Sequence, residues 1–148
     1  ETWIVLDHLG TPAGLFGKVG KHTGLTKTAR ENILFHWKED IAELATLPNV
    51  YTKMSGLMMP VLGHHFHQKN QLASKEQVFD LIHPLITHAL ESFGSYRVMF
   101  ASNFPMDSVS ASLVNIIDAF SDVVAAYDPD ALELVFRKNA MQFYRMQS

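Results

Sequence analysis

Three short apolar runs in this chain end in residues that can do chemistry. Trp3-Ile-Val-Leu6 runs into Asp7-His8, Val50–Met54 into Ser55-Gly56, and Val98-Met-Phe100 into Ala101-Ser-Asn103, just before Phe104-Pro105. An imidazole at a strand end can bind a metal or move a proton near neutral pH, so His8 is a candidate catalytic residue and metal ligand. Its plain alternative is a hydrogen bond to backbone. The Asn103 amide can hydrogen-bond a substrate carbonyl or weakly coordinate a hard cation, but it cannot be a general base. Its plain alternative is capping the turn before Pro105. Ser55 lacks the G-x-S-x-G setting of a nucleophile and reads as a hydrogen-bonding or substrate-binding group, with Gly56 allowing close backbone approach. Asp107, four residues beyond Asn103, either caps the next helix or serves as a displaced carboxylate. Asp7 has the opposite strand parity to His8 and is expected to point away.

A second cluster is His64-His65-Phe66-His67. His65 and His67 could chelate a metal only in an extended loop, and no carboxylate lies close in sequence. A solvated loop is the expected state, with substrate contact by His64 or His65 as a further reading. Residues 10–30 form another loop, with Gly10, Pro12, Gly14, Gly17, Gly20 and Gly24. It carries Lys18, Lys21, Lys27 and Arg30, which suits either a solvated surface or contact with an anion. A connection this long favours a functional loop.

The elements that must position these residues alternate. After the first strand and loop, Trp37, Ile41, Leu44 and Ala45 share one face of a helix over about 29–47, ended by Pro48-Asn49. After the second strand and its loop (57–73), Ser74-Lys-Glu-Gln77 is a capping box. It opens a helix to about Phe93 with Phe79, Ile82, Ile86, Ala89 and Phe93 on one face. Pro84 predicts a kink or break near His83, and Gly94 a C-terminal cap. After the third strand, Asp107 or Ser108 is expected to cap a helix carrying Val109, Leu113, Ile116, Ile117, Phe120 and Val124. Asp128-Pro129 then starts a last helix burying Leu132, Val135, Phe136, Ala140 and Phe143. Strand–loop–helix repeated three times predicts an α/β fold with parallel strands. Trp3–Leu6, continuously apolar, is expected to be buried on both faces.

The 148 residues fit one domain. A net charge of −3 without a basic cluster gives no footprint for nucleic acid. The absence of cysteine excludes disulfides and thiolate metal sites and is compatible with a cytoplasmic location. No apolar run approaches the roughly 18 residues that span a bilayer. The chain opens on Glu1 and is in an apolar strand by Trp3, which suggests a piece of a longer polypeptide.

Taken together, VLDHLGTPAG, PNVYTKMSGL, FGSYRVMFASNFPMD and the terminal NAMQFYRM resemble the amidohydrolase-2 family of TIM-barrel hydrolases. The similarity covers essentially the whole chain in the family's order. It implies the C-terminal part of a (β/α)8 barrel, about three βα units and a closing helix, corresponding to strands six to eight. The family includes hydrolases of sugar lactones and pyrone dicarboxylates, and some decarboxylases. His8 matches the histidine of the family's D-H-x-G block. Asn103 matches the last-strand carboxylate of its G-S-D-W-P block, and Ser102–Asp107 resembles a branch with S-N-F-P-x-D. The family's first-strand H-x-H pair is absent, and His65-Phe66-His67 lies in the wrong place to be it. A divalent metal such as zinc is implied for the whole protein.

The function expected is therefore the C-terminal portion of a hydrolase in which activated water attacks a lactone or related carbonyl. His8 and Asn103 would be catalytic, and Ser55, His64, His65 and Asp107 would contact a small-molecule substrate. Three strands cannot close a barrel, so the isolated chain is expected to be inactive. Its open edges await the missing N-terminal strands or a second copy, as a homo-oligomer. The alternative is a non-catalytic half-barrel that binds or assembles.

Overall fold

The computed structural model describes residues 2–146; Glu1, where the reading of a cut chain begins, lies outside them. Three strands, β1 (Ile4–Leu6), β2 (Val50–Met54) and β3 (Val98–Phe100), form one parallel sheet in the order β1-β2-β3. Ile4 pairs with Val50, and Thr52 with Val98. All three strands therefore end on the same rim, where ligands of parallel α/β sheets bind.

Helix α1 (Lys27–Ala45) joins β1 to β2, and α2 (Lys75–Phe93) joins β2 to β3. Thr26 caps α1 by accepting from the Ala29 N–H, two residues ahead of the expected start. Trp37, Ile41 and Ala45 are its buried face. The predicted capping box is present in both directions: Gln77 N–H donates to Ser74 Oγ, and Ser74 N–H to Gln77 Oε1. Helix α2 runs through Pro84 without a break, because seven buried side chains from Val78 to Phe93 hold it between α1 and α3. Loss of one backbone hydrogen bond does not outweigh that packing.

Other expectations fail as well. β1 is not buried on both faces: Trp3 is 41% and Ile4 52% exposed. β1 and β3 are both edge strands, yet Val98 and Met99 of β3 are buried beneath α2 and the chain's last helical residues (134–143), whereas the start of β1 is left open. Trp3 instead leans on Tyr51 and Phe143, at 5.4 and 5.9 Å between ring centroids. Nor does Asp107 or Ser108 cap the third helix. Helix α3 (Leu113–Tyr127) starts after Ser112, whose hydroxyl accepts from the Asn115 N–H. Val109 thus lies outside it and is exposed, while Ile116, Ala119, Phe120, Val123 and Val124 are buried. Asp107 is drawn inward by partners described below.

The last helical run begins at Ala131, two residues later than expected, after a turn in which Asp128 accepts from the Asp130 N–H. It comprises α4 (Ala131–Glu133), a π turn (Leu134–Lys138) and α5 (Asn139–Phe143). Ala131, Val135 and Asn139 are its buried positions, whereas Leu132, Phe136, Ala140 and Phe143 are only half-buried. Asn139 Nδ2 donates to the Ser95 and Val98 carbonyls and so pins this run to β3. Arg97 does similar work at the same end of the sheet. Its guanidinium donates to the carbonyls of Ala45, Leu47, Val50 and Phe93, tying the ends of α1 and α2 to the starts of β2 and β3.

Candidate active site

The rim brings four of the six candidate residues together. His8 Nδ1 and Ser55 Oγ share a 2.7 Å hydrogen bond between the ends of β1 and β2. Gly56 makes that approach feasible. It adopts φ +62°, and a Cβ there would lie 2.7 Å from His8 Nδ1 and 2.8 Å from Met59 Cε. His8 itself has φ 58° and Leu9 φ 48°, a tight left-handed turn that carries the imidazole off the strand end. Trp37 secures this turn by donating Nε1–H to the buried Leu9 carbonyl at 2.7 Å, and Thr52 Oγ1 donates to the Leu6 carbonyl. Asp7 points away, as its parity predicted, and pairs with Lys53 at 3.0 Å.

At the end of β3, Asn103 adopts φ 54°, and its Nδ2 donates to Asp107 Oδ1 at 2.8 Å. Asp107 Oδ2 accepts from the Met58 N–H at 3.2 Å. Asp107 is only 1% exposed and ties the loop after β2 to the rim of β3. Burial pushes its carboxyl above the usual range. The Asn103 amide, the Met58 N–H and the His8 charge act in the opposite sense. Because the Asn103 NH2 faces a carboxylate, its Oδ1 is the atom left to accept from water or substrate. Three candidate residues, His8, His65 and Asn103, hold left-handed backbone without being glycine. Such conformations persist where surrounding structure over-determines them, and they cluster at functional sites.

His64 and His65 lie in the second rim loop, where His64 faces the backbone of Met58 and Met59, the former also bound by Asp107. His64 Nδ1 accepts from the Phe66 N–H. Burial lowers its pKa to about 4, with His67 and His65 adding to the fall and the Met58 and Met59 backbone opposing it. His64 is therefore neutral at pH 7. His64 Nε2 and His65 Nδ1 are buried without hydrogen-bond partners.

The residues present do not make a metal site. Among the described residues, no three His, Asp or Glu side chains converge to hold an ion. His8 offers only Nε2, since Nδ1 is engaged by Ser55, and both Asp107 oxygens already accept hydrogen bonds. Also among the described residues, no helix is long and apolar enough to cross a membrane.

Comparison with known proteins places this geometry. The Amidohydro_2 (amidohydrolase) family model matches residues 1–146. The chain belongs to that family. It is 33% identical over 111 residues to an L-fucono-1,5-lactonase of Burkholderia multivorans, covering 74% of this chain and 31% of the lactonase. An uncharacterised protein of Sinorhizobium fredii is 32% identical over 110 residues, 74% of this chain and 33% of that protein. Among solved structures, a Burkholderia multivorans amidohydrolase superposes on 99% of this chain and 45% of its own, with TM-score 0.77 at 23% identity. A second crystal form of that enzyme holds bound zinc. The chain thus spans about a third of the curated relatives it matches, and it folds as part of an amidohydrolase barrel.

Sequence reasoning missed Trp37, Arg97 and Asn139 as polar anchors. Trp37 was legible only as an apolar helix position, and its indole N–H was the unused signal. For Arg97 and Asn139, a strong donor beside buried positions was the only clue.

Proposed function

We propose that this chain supplies the His8–Ser55–Asn103–Asp107 wall of a hydrolase site, where activated water attacks a lactone or related carbonyl. The observation that carries this reading is the 2.7 Å His8–Ser55 bond at the ends of adjacent parallel strands, with the Asn103–Asp107 pair on the next strand. With Nδ1–H donating to Ser55 Oγ, His8 Nε2 accepts a proton from water. Nδ1–H keeps that bond once the ring is charged. Ser55 thus holds the ring in one orientation through the whole proton transfer. The buried Asp107 carboxylate favours the imidazolium by charge and fixes the Asn103 amide, whose oxygen positions water or a substrate hydroxyl. Ser55 and Asp107 therefore act on substrate through His8 and Asn103, while His64 and His65 shape the pocket mouth. The relationship to an L-fucono-1,5-lactonase favours a sugar lactone as substrate. The chain forms three barrel strands with open edges, so the activity belongs to the polypeptide that closes the barrel, acting in the cytoplasm, with any metal held mainly by residues outside this chain.

The test is proton release from aldono-1,5-lactones by the longest natural polypeptide carrying these residues, compared with its His8→Ala variant. A drop in kcat of a hundredfold or more is expected, about the worth of one general base. An unchanged rate removes His8 from the mechanism.

A further inference from the structure

The two rim loops interlock and leave a cleft of about 280 Å³ between them, walled by Lys18, Pro60, Val61, His65, His67 and Gln68. The loops are joined by backbone. Gly14 N–H donates to the Val61 carbonyl, and Phe16 N–H to the Leu62 carbonyl. Gly17 and Gly63 pack so closely that a Cβ on Gly17 would lie 2.4 Å from the Gly63 carbonyl and 3.3 Å from His65 Nε2. The cleft floor is therefore fixed main chain, while its polar lining is side chains.

That lining is one-sided. Lys18 supplies an ammonium, His65 and His67 imidazoles and Gln68 an amide, and no Asp or Glu lines the cleft. His65 is held in a left-handed conformation with its Nδ1 buried and unpaired, which leaves Nε2 as the nitrogen able to reach a ligand. The His65 and His67 rings are 6.1 Å apart between centroids, too few groups for a metal without a third donor. Fixed walls, a cation and several hydrogen-bond donors without a counter-charge are what an oxyanion requires.

We propose that this cleft binds an oxyanion group of the substrate, a carboxylate or a phosphate, apart from the carbonyl that is hydrolysed. The word substrate rests on the hydrolase reading, whereas binding of the oxyanion does not. The site would select lactones carrying a second, charged group over neutral ones.

Inorganic phosphate and malonate are titrated into the full polypeptide by calorimetry at constant ionic strength and pH 7. Lys18→Ala and His67→Ala serve as variants, both at exposed positions that leave the core intact, and Lys21→Ala serves as a control for general charge. Saturable binding, weakened about tenfold by either cleft substitution and unaffected by Lys21→Ala, is expected. Tighter malonate assigns a carboxylated substrate, and tighter phosphate a phosphorylated one. The same variants should raise KM for a charged lactone and leave it unchanged for a neutral one. Probe binding without turnover of any lactone keeps the cleft and removes the hydrolase reading. Failure of both probes to saturate, equal weakening by Lys21→Ala, or binding of zinc but neither anion overturns the proposal.

Discussion

Replacing Asn103 by aspartate, the residue the family resemblance implies there, should destabilise this protein in a pH-dependent way. The amide donates to Asp107 Oδ1 at 2.8 Å, and Asp107 is almost fully buried. Asn103→Asp removes the donor and sets two carboxylates at that separation. At an effective dielectric near 20, two like charges about 3 Å apart repel by about 5 kcal/mol. Protonating one carboxyl relieves the repulsion, and with an ordinary pKa near 4 this costs about 4 kcal/mol at pH 7, which caps the effect. Residue 103 is only half-buried, so solvent screening reduces the expectation to about 2–3 kcal/mol at pH 7 beyond Asn103→Ala. Asn103→Ala loses the donor without adding charge, at about 1–2 kcal/mol. The sign follows from proton uptake. The folded variant binds a proton that the unfolded chain has released, so its stability falls as pH rises from near 4 towards the raised pKa of the pair. The difference between the two variants should therefore shrink by about 1.4 kcal/mol in total on going from pH 7 to pH 5. Urea unfolding followed by circular dichroism at pH 5, 6, 7 and 8, in chelator, measures it. Equal stabilities for Asp and Ala at every pH would refute the reasoning that residue 103 faces a buried carboxylate charge on Asp107.

Three further outcomes are expected. Asp107→Ala strands the Met58 N–H and the Asn103 amide, costing about 2–4 kcal/mol, and hydrogen exchange at the Met58 amide should accelerate well beyond that in the sheet. Gly56→Ala forces a Cβ onto the His8 ring at positive φ, losing about 1–3 kcal/mol; His8 ring shifts in NMR spectra should report loss of the Ser55 bond while distant core methyl signals stay unmoved. His64, lowered to about 4, binds its proton more readily in the unfolded chain. It thus contributes stability above pH 6.5 that is lost as pH falls from 6.5 towards 4, and His64→Phe should flatten the urea midpoint across that window.

The sequence alone determined the alternation of elements and which residue closes each strand. Apolar runs, capping boxes and helical faces are local patterns, so β1, β2 and β3, helices α1 and α2, and the rim positions of His8, Ser55 and Asn103 were legible without coordinates. Asn103 finds its partner Asp107 four residues on, but most of what fixes the rim and the sheet comes from partners roughly 50 residues away. Ser55 meets His8 across 47 positions, Met58 meets Asp107 across 49, and Arg97 reaches Ala45 across 52. A carboxylate ahead of a helical run looks like a cap from sequence, because the competing Met58 N–H is invisible until the loop folds over it. The exposure of Trp3 and Ile4 was hidden for a related reason: an apolar run records what a strand can bury, and only the sheet shows whether a neighbour is there to bury it.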